Sequence, residues 1–418
     1  MNTIGGGPRC VGYAHLIQPR HGGYTGYVGA ERGVGRISRL VAGSRNVLVT
    51  GGAGLIGSHI VDAALREGWS VRILDSLERK THRAGKPAWV PAEVEFIRGD
   101  VRNRADWVRA LDGIDLVFHE AAYGGYMPEI AKFMHVNSVG TALLLETIRD
   151  RGLPVEKVVV ASSQAVYDEG AYRCPTHGHF YGRTRTIDRL AAGDYAMHCP
   201  LCDAVGEPVP TDEAAPMGGE NVYAISKSDQ ERLVLTWGRS TGIPVVALRY
   251  SCTYGPRQSV FNPYTGVIAI FCTRLMNDMP PLVYEDGRQS RDLIYVEDVA
   301  RANLLVATDD RANGRVFNVG TGQAMEIGAL ASLLADRLGK PIAPLMPGQF
   351  RPGEMRALIS DISRLGELGF TTETDLATGI DRYLDWIRTQ GDIKDYFAVA
   401  ERGLRRKAVV KQSGATRA

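Results

Sequence analysis

The chain has 418 residues, 49 Lys and Arg against 47 Asp and Glu, and a net charge of +2. That balance implies neither a nucleic-acid nor a membrane-surface partner, and no uninterrupted apolar span reaches the ~20 residues that a membrane helix needs. No basic start and apolar centre mark a signal peptide, and six cysteines in so long a chain do not suggest a disulfide scaffold. The expectation is a cytoplasmic protein of roughly two or three domains.

In chain order, residues 1–44 are rich in Gly and Arg, with Glu31 the only acid. Such a stretch buries too little apolar surface to offset chain entropy, so disorder is expected there. Residues 46–57, N-V-L-V-T-G-G-A-G-L-I-G, form an apolar β-type run that breaks into glycines and opens an amphipathic helix. Gly51 makes the turn, Gly54 lets backbone approach a pyrophosphate, and Gly57 lets the helix pack closely on the strand. Leu55 and Ile56 lie at the helix start, where unpaired N–H groups and a partial positive charge favour phosphates.

The next apolar run, residues 71–74, ends in Asp75, 24 positions after Gly51. That is close to the ~20-residue distance at which an acid meets the adenosine ribose diol. An acid there repels a 2′-phosphate, so NAD is favoured over NADP; Arg79, Lys80 and Arg83 read as a solvated loop. Residues 94–98, 116–119 and 155–161 are further strands, followed by Gly99-Asp100-Val101, Glu120-Ala121-Ala122 and Ser162-Ser163-Gln164. Strands of this apolar kind alternating with helical stretches predict an α/β fold, a doubly wound parallel Rossmann sheet with ligands at the carboxyl ends of its strands.

Tyr223 and Lys227 open a helix expected to run to about residue 241. Four apart, they share a helix face, so the ammonium can sit near the phenol and draw it from its free pKa of ~10 toward working pH. Ser163 can bind the same substrate oxygen. Together they would take a proton from a sugar hydroxyl while hydride leaves the carbon for NAD.

The stretch between Tyr167 and Tyr223 is too long for a plain loop. It holds C-P-T-H at 174–177 and, 25 residues after Cys174, C-P-L-C at 199–202. Two such turns have the spacing of a zinc ribbon: Cys174, His177, Cys199 and Cys202 would fill a closed, structural tetrahedral site, with His179 or His198 as substitutes for His177.

These residues resemble the extended short-chain dehydrogenase/reductase family, the NAD-dependent nucleotide-sugar epimerases and dehydratases, over about residues 45–395. The likeness is carried by the glycine fingerprint, Asp75, residues 99–101 and 119–122, Asn137 with Gly140-Thr141, Ser163, and Tyr223 with Lys227. It continues through L-R-Y at 248–250, Y-G-P-R-Q at 254–258, R-D-L-I-Y-V-E-D-V at 291–299, F-N-V-G at 317–320 and R-P-G-E at 351–354. The resemblance implies that Asp100 and Val101 flank the adenine, and that Ala121, Ala122 and Tyr250 line the cofactor near the nicotinamide. It makes Ser163, Tyr223 and Lys227 catalytic, and sets Arg291 and Arg351 on the diphosphate of a nucleotide sugar. Gln164, Cys252 and Glu354 fall beside that substrate. For Arg291 the alternative is an ion pair with its neighbour Asp292.

Dehydratases of the family carry Asp-Glu after the serine position, and related decarboxylases a Glu; here Gln164-Ala165 stands there, which favours 4-epimerisation through a 4-keto sugar. The alternatives are a dehydratase, decarboxylase or reductase on the same substrates, or a non-catalytic NAD-dependent sensor. The cysteine-bearing insert, N-P-Y-T-G at 262–266 and E-D-G-R-Q-S-R-D at 285–292 resemble a subgroup that acts on deoxysugars of the dTDP-L-rhamnose type. The chain departs from the family at Ser251-Cys252, where an Asn is usual; a thiol is the weaker donor. By the same resemblance, helices at 133–151 and 223–241 would form a homodimer. The expected layout is an NAD-binding domain at 45–255 with the insert at 168–215. A substrate domain follows at 256–398, from which 293–320 return to the first, and then a loose basic tail at 399–418.

Overall fold

The computed structural model describes residues 45–414, apart from 126–128, 265, 392 and 407–408. The disorder expected of residues 1–44 lies outside the described residues. Seven parallel strands form the main sheet, in the order Val316–Val319, Val245–Tyr250, Lys157–Ser163, Leu116–His119, Asn46–Thr50, Ser70–Asp75, Glu95–Arg98. Val47 and Val49 enter one core with Ile60, Ile73 and Phe118, while Leu48 enters the other with Leu74, Trp107 and Leu144. Both faces demand apolar side chains, which is why these strands read as near-continuous apolar runs. Chain direction across the sheet reverses between Asn46–Thr50 and Leu116–His119, and that switch opens a crevice at the carboxyl ends of the strands.

The fifth strand departs from expectation: it spans Lys157–Ser163 rather than 155–161. Ser162 and Ser163 continue the ladder opposite Arg249 and Tyr250, and the Ser162 hydroxyl donates to the Glu231 carboxylate at 2.6 Å. Polar residues extend a buried strand when their hydroxyls find partners. The helix Val222–Thr241 starts where Asn221 accepts the Ala224 N–H and stops at Gly242 with φ +75°. The helix expected at 133–151 is broken into Ile130–Phe133, a π-helical Met134–Val139 and Gly140–Arg151. The widened turn brings Asn137 inward, where it holds the main chain of Tyr123 from both sides and donates to Ser226.

A second apolar core gathers Phe271, Leu275, Leu330, Leu334, Ile380 and Tyr383 from the helices Val267–Met276, Ile327–Arg337 and Leu376–Arg388. The loose tail expected at 399–418 is corrected over its described part. Residues Phe397–Arg406 form a helix, and Lys411–Gln412 pairs with Gln349–Phe350. Leu404 and Val410 bury against Tyr284, supplying the apolar anchor that the basic composition concealed. The insert folds as a three-stranded antiparallel sheet, Gly178–Tyr181 against Ala171–Cys174 against Glu207–Val209. Among the described residues no helix is long and apolar enough to cross a membrane.

Candidate active site and metal centre

The glycine fingerprint is a steric requirement in this fold. Gly51 holds φ +68°, and a Cβ at Gly57 would lie 2.4 Å from the Gly51 carbonyl oxygen. The helix Leu55–Arg66 therefore starts directly against the turn, with its first N–H groups facing a cavity of about 490 Å³. Gly54, Leu55, Ile56, Asp75, Asp100, Val101, Ala121, Ala122, Tyr223 and Tyr250 line it. Asp75 is fixed at the end of its strand by the N–H groups of Ala53 (3.0 Å) and Leu77 (2.8 Å). Asp100 pairs with Arg102 at 2.6 Å. Lys80 is engaged by Glu129 at 2.7 Å and Arg83 lies over the Tyr396 ring at 4.4 Å, so neither is simply solvated.

A second cavity, of about 340 Å³, meets the first at Ser163, Tyr223, Tyr250 and Ser251. At the junction the Ser163 hydroxyl and the Tyr223 phenol share the wall of both cavities. Burial raises that phenol above its ordinary pKa, against the opposing pull of Ser163. Lys227 is buried, but its ammonium is held by the Ala161 carbonyl (2.6 Å) and Gln230 Oε1 (2.8 Å) rather than by the phenol. The sequence expectation of a phenol lowered by this cation is thus not met: the helix face is shared, but strand 157–163 takes the ammonium. Burial depresses Lys227 itself, and the Glu120 carboxylate partly offsets that.

Beyond the junction, Gln164 donates from Nε2 to Cys252 Sγ at 3.2 Å, and burial pushes the Cys252 thiol up. Arg291 donates to Glu354 Oε1 at 2.8 Å and Arg351 to Glu354 Oε2 at 3.2 Å, so one carboxylate holds both guanidinium groups on the cavity wall. Asp292 turns away to accept from Thr321, Gly322 and Ser360, which removes the alternative of an Arg291–Asp292 pair. The cavity also has apolar lining from Phe271, Leu282, Ile327, Phe397 and Leu404.

In the insert, the side-chain donor atoms of Cys174, His177, Cys199 and Cys202 all lie within 4.8 Å of one another. Cys174 Sγ is 3.6 Å from Cys202 Sγ and 3.7 Å from His177 Nδ1, and Cys199 Sγ is 3.6 Å from the same nitrogen. Ligands bound tetrahedrally at ~2.3 Å stand about 3.7 Å apart, so these spacings fit a zinc ion. The main-chain amide of His177 lowers the Cys174 thiol to about 6, toward the thiolate a metal requires. His198 is committed elsewhere, its ring nitrogens on the Asp203 carbonyl (2.8 Å) and Asp194 (3.0 Å), and His179 meets the Tyr181 ring edge to face.

Two functional features escaped the sequence reading. Glu120 accepts the Tyr250 hydroxyl at 3.0 Å and is raised to about 7 by burial, yet within H-E-A-A the sequence assigned it no role. The pocket residues Phe397 and Leu404 sit at the last positions of the expected substrate domain and in the expected basic tail; their amphipathic spacing was the available signal.

Residues 47–187 and 201–320 match the NAD dependent epimerase/dehydratase family. The dTDP-L-rhamnose 4-epimerase of Burkholderia thailandensis is 31% identical over 372 residues, 86% of this chain and 99% of that one. The UDP-glucose 4-epimerase of Thermotoga maritima, solved with UDP-glucose, superposes with a TM-score of 0.67 at 28% identity, over 83% of this chain and 100% of that one. That of Thermus thermophilus, solved with NAD, gives 0.65 at 30%, over 82% and 99%. The chain belongs to the NAD-dependent epimerase/dehydratase family.

Proposed function

We propose that the protein is an NAD-dependent nucleotide-sugar 4-epimerase with one structural zinc. The observation that carries this reading is the junction of the two cavities, where Ser163 and Tyr223 meet between the cofactor wall and the Arg291–Glu354–Arg351 cluster. A nucleotide sugar with its diphosphate on the two arginines would bring its sugar to Tyr223 and its base to the apolar lining. NAD, when bound, accepts hydride from the sugar carbon and returns it. Tyr223 removes and restores the proton on the sugar oxygen while Ser163 hydrogen-bonds that oxygen. A buried phenol needs cationic help for this, and Lys227 on the same helix would supply it by turning its ammonium from the Ala161 carbonyl toward the phenol. Gln164 and Ala165 offer no acid to expel a hydroxyl as water, which favours simple inversion over dehydration.

Zinc would be held by Cys174, His177, Cys199 and Cys202, and with four protein ligands it would serve as a structural clamp with no position for a catalytic water. A homodimer through the helices Gly140–Arg151 and Val222–Thr241 is part of the proposal. Val139, just before the first of these helices, and Ile225 in the second are exposed apolar groups, 45% and 51%, of the kind a dimer contact would cover. A deoxysugar nucleotide of the dTDP-L-rhamnose type is the first substrate to test.

The test is chromatography with mass detection after incubation with dTDP-, UDP- and GDP-sugars without added cofactor. A product of unchanged mass and new retention time is expected. Loss of ~18 mass units, one water, would instead place the enzyme with the dehydratases.

A further inference from the structure

The insert is joined to the substrate cavity by two buried polar struts. Arg185 spreads a bidentate fork onto Glu285, Nη1 to Oε2 and Nη2 to Oε1 at 2.9 Å each, with the two side chains 3% and 2% exposed. The same guanidinium donates to the Glu354 carbonyl at 2.7 Å and to the Tyr195 carbonyl, within the insert, at 3.0 Å. It therefore ties the insert to the residue whose carboxylate holds Arg291 and Arg351.

The second strut is Glu169, two residues before the strand Ala171–Cys174. Its Oε1 accepts the Arg356 N–H at 2.7 Å and the Ala357 N–H at 3.2 Å. Ala357–Leu358 runs parallel to Ser290–Arg291, with Leu358 opposite Arg291. The join is also steric: a Cβ on Gly170 would stand 2.3 Å from the Ala357 carbonyl oxygen. Both struts end on the two segments that carry the arginines. A buried fork of this kind has one good geometry and no solvent to soften a displacement.

We propose that the metal-bearing insert is a limb of the substrate site: Arg185 and Glu169 are positioning residues that hold Arg291 and Arg351 at the spacing of a diphosphate. The inference rests on the nucleotide-sugar reading above for the ligand, but the coupling itself is a property of this chain. Clamping the 174–177 and 199–202 turns fixes the insert, and the insert fixes the arginines. Loss of the metal therefore weakens substrate binding and leaves the cofactor cavity intact.

The experiment uses the full chain and its variants Arg185→Met, Arg185→Lys and Cys202→Ser. Zinc is measured by mass spectrometry, retained NAD by absorbance after denaturation, and binding of UDP and dTDP by calorimetry. Arg185→Met should keep zinc and NAD and weaken both nucleotides by roughly tenfold or more, the scale on which small misplacements of binding groups act. Arg185→Lys, charged but unforked, should fall between it and wild type; in turnover KM should rise while kcat changes little. Cys202→Ser should lose zinc and show the same binding defect with NAD retained. Hydrogen exchange reads the struts without any ligand: amides 356–358 should lose protection in Arg185→Met and in Cys202→Ser. Unchanged protection there, or NAD lost in parallel with nucleotide affinity, overturns the proposal. A wild-type protein that binds neither UDP nor dTDP would sink the nucleotide-sugar reading, while exchange at 356–358 still decides whether the insert holds the arginine segments.

Discussion

The cofactor cavity and the substrate cavity adjoin at Tyr223 but are built by different means. The first is made largely by one continuous β–turn–α unit whose glycines, main-chain N–H groups and Asp75 act within 30 residues of each other in sequence, Asn46 to Asp75. The second is assembled from segments around 164, 252, 291, 351 and 397, with Arg291 and Arg351 brought together by Glu354. Local chemistry suffices where a phosphate is met by backbone. A diphosphate met by side chains needs a scaffold to set their distance, and here buried ion pairs supply it.

The contrast can be broken first on the cofactor side. Gly57→Val would drive its Cβ into the Gly51 carbonyl, now only 2.4 Å from that position. Overpacking costs about 1–3 kcal/mol, and the purified protein should carry no NAD and show no turnover with any sugar; a variant that kept bound NAD would contradict the steric account. At the junction, Tyr223→Phe should retain NAD and lower kcat by about 10²- to 10⁴-fold, the usual range for a lost general acid–base. Single-turnover kinetics with whichever nucleotide sugar the panel shows to be turned over would measure it, and an unchanged rate would leave the phenol without a role.

On the substrate side, Arg291→Met removes charge-assisted hydrogen bonds of about 1.5–3 kcal/mol, so KM should rise about 10- to 100-fold with NAD content unchanged. Equal damage to NAD retention would erase the distinction between the two cavities. The smallest effect is expected at Glu120. Its carboxylate raises the Lys227 pKa against the depression caused by burial. In Glu120→Gln the ammonium loses that support, its pKa falls further, and the charged form is confined to lower pH. The alkaline limb of the kcat profile should then move to lower pH, by about one unit or less, whereas a profile that moved upward or not at all would detach Glu120 from Lys227.

Much of the site was legible one residue at a time because its chemistry is periodic or tightly spaced. Gly51, Gly54 and Gly57 are a turn motif, Tyr223 and Lys227 are one helical turn apart, and the two metal-binding turns are short and self-contained. The spacing favoured His177 but left His179 and His198 open as substitutes; only the fold shows His198 engaged by Asp194 and Asp203. The held position of Lys227 was not legible either, set by a carbonyl on strand Lys157–Ser163, 66 residues away.

The sequence by itself determined the parallel sheet and the glycine turn, and it singled out Ser163, Tyr223 and Lys227 and the Cys174, His177, Cys199 and Cys202 cluster as candidates, since each follows from local periodicity, glycine sterics or ligand spacing. Only the tertiary structure decided that Glu354 gathers both arginines, that Arg185 and Glu169 bind the insert to them, and that Phe397–Arg406 closes the substrate cavity. Those pairings join residues up to 188 positions apart, as in Glu169 and Ala357. Burial makes them strong and specific, and burial is a property of the folded chain rather than of any stretch within it.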